Sequence, residues 1–197
     1  MALLMTSIII LFAGCQATSA FSCPTPAVSA SAASDSAPRT SSTPKSMEDV
    51  SSLTLSISEK GKFQIYKATL PTDASAEEII AAIADKTGWD LSLSGNVIKG
   101  KDSMTICFAK GGALFAGLPN PQKKEFFVYD AEELSFNILD SVQETLRRRF
   151  SPEHPEALAI YYRMEGNVPL TLPGLRVTIP MEKPYTHEVL AKLLAES

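Results

Sequence analysis

The chain has 197 residues, with 22 acidic and 18 basic side chains and a formal net charge of −4. That balance, with no basic stripe interleaved with aromatics, argues against nucleic acid as a direct ligand. Its three cysteines form no Cys-x-x-Cys or Cys/His cluster, which argues against a structural zinc site and against a disulfide-built scaffold.

No Lys, Arg, Asp or Glu precedes Asp35. Ala2 to Gly14 form an apolar run of signal-peptide length, short of the about 20 residues needed to cross a bilayer. Ala13 and Gly14 followed by Cys15 resemble the lipobox of bacterial lipoprotein precursors, with Phe12 where Leu is usual and no cation in the n-region. The resemblance implies cleavage before Cys15 and its diacylation. Each buried methylene contributes about 0.8 kcal/mol, so two or more chains suffice as an anchor. Gln16 in place of Asp implies the outer membrane, with the folded part facing the periplasm. Two other readings stay open. Ala17 to Phe21 resembles the Ala-Ser-Ala-Phe signature of diatom and other secondary-plastid precursors, and an ordinary secretory signal would be cut after Ala17 or Ala20 or retained as an anchor.

From Ser22 to Ser46 the composition is Ser, Ala, Pro and Thr with only Asp35, Arg39 and Lys45 charged. Nothing there can build a core, so the segment reads as a tether. The expected organisation is a signal peptide over 1–14, a low-complexity tether over 15–47 and one globular domain over 48–197. With Cys15 acylated, Cys23 and Cys107 could pair, or Cys107 could be a small buried hydrophobe in a strand.

Within the domain, Leu53, Leu55 and Ile57 alternate with polar residues, Glu59 to Lys62 turn, and Phe63 and Ile65 resume an alternating run to Leu70: a β-hairpin. Ser75 and Glu78 form a capping box for a helix presenting Ile79, Ile80 and Ile83 and stopping at Thr87-Gly88. Trp89, Leu91 and Leu93 alternate as a strand, and after turns at Ser94-Gly95-Asn96 and Lys99 to Asp102, Met104, Ile106 and Phe108 form another. A Gly/Pro-rich loop to Lys124 carries a short apolar segment at Ala113 to Leu118, and Phe126 to Tyr129 reads as a strand. Asp130 and Glu133 open a helix with the face Leu134, Ile138, Val142 and Leu146. Ala157 to Met164 and Leu175 to Ile179 read as strands, and Thr186 opens a terminal helix with Val189, Leu190, Leu193 and Leu194 inward. The predicted class is α+β, a mostly antiparallel sheet with two or three packed helices.

The strand, helix, Thr-Gly and strand from Lys67 to Val97, and the strand and helix from Arg176 to Leu194, resemble the short N-terminal domain of secretins and TonB-dependent receptors. With a lipid anchor and tether the whole is similar to the DotD-type lipoproteins of secretion-system core complexes. The resemblance implies a non-catalytic component that binds envelope proteins. The hairpin and first helix also resemble the ubiquitin-like β-grasp, without a C-terminal Gly-Gly.

No catalytic signature accompanies these elements: no Gly-x-Ser-x-Gly, no His-Glu-x-x-His and no phosphate loop around Gly111-Gly112. His154 and His187 lack a neighbouring Cys or His and read as surface residues. Asp73, Glu77, Glu78 and Asp85 read as helix-capping and solvated. Arg147-Arg148-Arg149 fits a helix C-terminus, and also an anionic docking patch. Trp89 and Tyr161-Tyr162 read as packing residues. Cys15 is therefore the one assigned site residue, for lipidation. No catalytic residue, cofactor or metal is assigned, and the alternatives to an assembly lipoprotein are a small-ligand-binding domain and a plastid-targeted protein.

Overall fold

The computed structural model describes residues 50–116 and 121–197. The signal segment, Cys15, Cys23 and the tether lie outside the described residues. Strands β1 (Val50–Glu59) and β2 (Lys62–Pro71) pair antiparallel around Lys60-Gly61, whose φ angles of 52° and 72° suit a two-residue hairpin turn. Ile57 pairs with Gln64 and Leu55 with Tyr66, so odd positions of β1 share a face with even positions of β2. Leu55, Ile57, Tyr66, Ala68 and Leu70 on that face join or abut the core. Phe63 and Ile65 stand on the other face, opposite Ser58 and Ser56.

Helix α1 (Ala76–Thr87) starts with the expected reciprocal cap. Ser75 Oγ accepts from the Glu78 amide at 3.2 Å, and the Glu78 carboxylate accepts from the Ser75 amide at 2.7 Å. The helix buries Ile79, Ile80 and Ile83 and ends at Gly88, which has φ 81°. A β-carbon on Gly88 would lie 2.8 Å from the Lys123 backbone nitrogen, whose N–H donates to Thr87 O. Gly88→Ala therefore meets both left-handed strain and a backbone clash. We expect it to cost about 1–3 kcal/mol in chemical denaturation; a loss below about 0.5 kcal/mol, the range of an ordinary surface substitution, would contradict this account.

The expected strand at Trp89 to Leu93 does not form; only a bridge between Leu93 and Phe108 remains. Asp90 Oδ1 accepts from the Ser92 amide and hydroxyl, a local turn that competes with ladder pairing. The ladder instead uses β3 (Ile98–Lys99), antiparallel to β4 (Ser103–Phe108). After the short helix α2 (Ala113–Ala116), the strand expected at Phe126 to Tyr129 is replaced by a 3-10 turn over Lys124–Phe126. The Gln122 side chain bonds both the N–H and the C=O of Val128, groups a strand would need for a ladder.

Helix α3 (Ala131–Phe150), capped by Asp130 on the amides of Glu132 and Glu133, leads to β5 (Ala159–Met164), which lies parallel to β4. Strand β6 (Val168–Leu172), which contains Pro169 and is not expected from the sequence, and β7 (Val177–Ile179) continue antiparallel. Helix α4 (His187–Ala195) is capped by Thr186. Among the described residues the architecture is α+β: four α-helices, a two-stranded sheet, and a five-stranded sheet ordered β3-β4-β5-β6-β7 that is antiparallel except at β4 and β5.

Glu77 joins α1 to the segment before β3, accepting from the Val97 amide at 2.6 Å. Burial pushes its pKa up, but the amide bonds, Ser75 and Lys99 outweigh it and hold Glu77 below the usual glutamate range. The stability this contributes is present above the unfolded-state pKa and lost as pH falls through the lower folded one. Glu77→Gln should therefore flatten the fall in urea midpoint between about pH 7 and about pH 3; an unchanged slope would refute the link.

Candidate functional site

Helix α3 is buried on polar positions as well as apolar ones. Its apolar stripe includes Leu134, Ile138, Val142 and Leu146, while Asn137, Ser141 and Thr145, four residues apart and thus on one face, are also buried. That polar stripe serves β1. Thr145 Oγ1 accepts from the Ser56 amide at 3.0 Å and donates to the Ser56 carbonyl at 3.2 Å, while Ser141 Oγ accepts from the Ser58 amide at 2.8 Å. The helix side chains thus stand where a neighbouring strand would be.

This identifies which backbone groups of β2 are left over. In an antiparallel ladder, pairs that do not bond each other direct their N–H and C=O groups outward on both strands. Ser56 and Ser58 direct theirs to α3, so their partners Ile65 and Phe63, and by alternation Lys67 and Thr69, direct theirs to the opposite edge. No strand pairs with that edge among the described residues. The side chains of Phe63 and Ile65 are 44% and 56% exposed. A ten-residue edge strand with exposed apolar side chains and no interior proline is a template for another strand.

A second polar cluster lies beside this stripe on α3. Asp140, 6% exposed, accepts from the Tyr185 hydroxyl at 2.7 Å and stands 2.8 Å from His187 Nδ1. Burial pushes the Tyr185 hydroxyl far above the usual tyrosine range, and the Asp140 charge adds to it. Burial and Asp140 act likewise on Tyr162, whose hydroxyl donates to Leu139 O at 2.7 Å. Both phenols are therefore fixed donors. The His187 ring stacks on Phe136 at 4.4 Å, and its side chain is 52% exposed. Because a carboxylate accepts only, His187 Nδ1 donates to Asp140.

His187 lies at the surface, as its sequence context suggested, and is oriented there by Asp140 and Phe136. No sequence signal joins it to Asp140, which lies 47 positions away. No Ser, Thr or Cys side chain bonds His187 Nε2 among the described residues, so the arrangement lacks a nucleophile. No cluster of three metal-ligand side chains occurs among them either.

The other candidates separate. His154 is exposed, 3.7 Å from Glu156. Cys107 is a half-buried free thiol in β4. The three arginines bond Leu158 O, the Glu144 carboxylate and Thr72 O respectively, closing the end of α3. Trp89 and Tyr162 are buried. A 480 Å³ cleft between α1 and residues 89–95 is walled by Ile80, Ala84 and Leu91, and of its three carboxylates, Glu77, Asp85 and Asp90, the first and last already hold Val97 and Ser92.

Among the described residues these features define an α+β unit with a long unpaired β2 edge and a buried carboxylate that orients a half-exposed histidine. No protein-family model, curated protein or solved structure matches the chain.

Proposed function

We propose that this chain is a membrane-anchored envelope lipoprotein, acylated at Cys15, whose globular unit is a non-catalytic assembly component that binds a partner protein by adding a strand to β2. A secretion or conjugation apparatus in the outer membrane, facing the periplasm, is the setting the sequence resemblance favours. The observation that carries the binding role is the asymmetry of the hairpin. The β1 edge is satisfied by Thr145 and Ser141 of α3, while the β2 edge is left open beside exposed Phe63 and Ile65. Strand addition draws affinity from main-chain bonds and specificity from alternate side chains. Phe63 and Ile65 are already about half covered, so completing their burial would add about 1 kcal/mol each. The tether would give the unit reach from the membrane.

Metabolic labelling with a palmitate analogue tests the anchor. The wild-type chain is expected to incorporate the label and to fractionate with membranes, and Cys15→Ser to do neither. A Cys15→Ser chain labelled as strongly as wild type would overturn the anchoring.

A further inference from the structure

Helix α3 covers only the half of the β1 edge nearest the hairpin turn. Ser141 and Thr145 serve Ser58 and Ser56, and one helical turn further along the same stripe stands Arg149. By the alternation that turns Ser56 and Ser58 toward α3, Thr54 and Ser52 direct their N–H and C=O groups to the same edge. No bond takes up those groups among the described residues. Arg149 does not supply one: its Nη2 donates to Thr72 O, and its buried Nε has no partner among the described residues. A cleft of 280 Å³ opens in the gap, lined by Ser51 to Thr54 along β1, by Arg148 and Arg149, and by Pro71 and Pro152. No carboxylate is part of that lining among the described residues. Arg148 is paired with Glu144, whereas Arg149 forms no ion pair among them.

The cleft thus sets main-chain donors and acceptors of β1 beside an unpaired guanidinium. The negative end of the α3 dipole, equivalent to about half an elementary charge, opposes an anion here, and the full charge of Arg149 outweighs it. A bare oxyanion would satisfy Arg149 and the N–H groups but would leave the outward carbonyls of Ser52 and Thr54 facing negative charge. A peptide strand satisfies both kinds of main-chain group, and a carboxylate at its end meets the guanidinium. The open stretch is short, because α3 closes the edge at Ser56, so only the last few residues of a chain fit along it. We propose that this cleft binds the C-terminal end of an extended peptide, pairing its last residues with Ser52 and Thr54 and its terminal carboxylate with Arg149. The site lies on β1 and depends neither on strand addition at β2 nor on lipidation.

Titration of the folded, isotope-labelled full-length chain, followed through the Ser52 and Thr54 amide and Arg149 side-chain NMR signals, tests the proposal. The probes are a pool of N-acetyl tetrapeptides randomised at every position, the same pool with amidated C-termini, acetate and inorganic phosphate. The free-acid pool should give saturable shifts at all three residues, with an apparent affinity about tenfold or more above those of the amidated pool and of both simple anions. Arg149→Gln should remove the preference for the free acid. Thr54→Pro, at an exposed position whose N–H takes no part in the hairpin, should weaken the free-acid pool about tenfold with cooperative unfolding retained. Should Arg149→Gln fail to fold, the acid and amide pools on the wild-type chain decide the role of the carboxylate. Equal responses to the two pools, acetate or phosphate binding as tightly as the free-acid pool, or undiminished binding by Thr54→Pro would overturn the proposal.

Discussion

Asp140→Ala is expected to lower the stability of the domain by about 2–4 kcal/mol, lowering the melting temperature by several degrees at this domain size. The carboxylate is the one partner of the Tyr185 hydroxyl among the described residues, and Tyr185 is fully buried, so truncation leaves a phenol with no acceptor and a void beside it. The loss should be specific in origin. Adding Tyr185→Phe to Asp140→Ala removes the orphaned hydroxyl and should restore about 1 kcal/mol, a coupling that a double-mutant cycle reads directly. His187→Ala, by contrast, deletes a half-exposed partner and should cost no more than about 1 kcal/mol. A loss below about 1 kcal/mol for Asp140→Ala, with no recovery in the double variant, would show that the cluster does not hold α4 to α3.

Lys67→Pro is the second large effect, on binding rather than folding. Lys67 stands opposite Thr54 in the same alternation as Ile65 opposite Ser56, so its N–H faces the open edge and takes no part in the hairpin. Proline there removes a donor that only an added strand would use and places a ring against it. The domain should keep its cooperative unfolding with a modest loss, while partner binding should fall by about tenfold or more. Ala68→Pro is the matched contrast. Ala68 pairs with Leu53 through inward groups, so that proline breaks the hairpin and should cost about 3 kcal/mol of stability. If Lys67→Pro binds its partner as the wild type does, β2 is not the docking strand.

The elements written into local sequence were legible. The Ser75/Glu78 box, the Asp130 and Thr186 caps and Gly88 after α1 act within four residues of themselves, and each is found where its pattern places it. Elements that depend on competition were not. Trp89 to Leu93 has the alternation of a strand, but Asp90 folds back on Ser92; Phe126 to Tyr129 has strand composition, but Gln122 occupies the Val128 backbone. Strand β6 is carried by its antiparallel neighbours despite Pro169, which no local pattern announces.

The sites were less legible still. The apolar stripe of α3 was readable from Leu134 to Leu146, but its second stripe of Asn137, Ser141 and Thr145 resembles any solvated helix face until β1 is laid against it. Phe63 and Ile65 look like core in the alternating run of β2. The two-residue turn at Lys60-Gly61 shifts the pairing so that they face away from Leu55 and Ile57. Asp140, Tyr185 and His187 are brought together only by the docking of α4 on α3.

Strand addition at β2 is tested most directly by placing a photo-crosslinking side chain at Ile65 in the full-length, lipidated chain and irradiating intact cells. We predict one discrete protein adduct that is absent when Lys67→Pro is combined with the crosslinker, and absent when the crosslinker stands instead at the exposed Val168 on the other sheet. No adduct at Ile65, or one that persists undiminished beside Lys67→Pro, would contradict it.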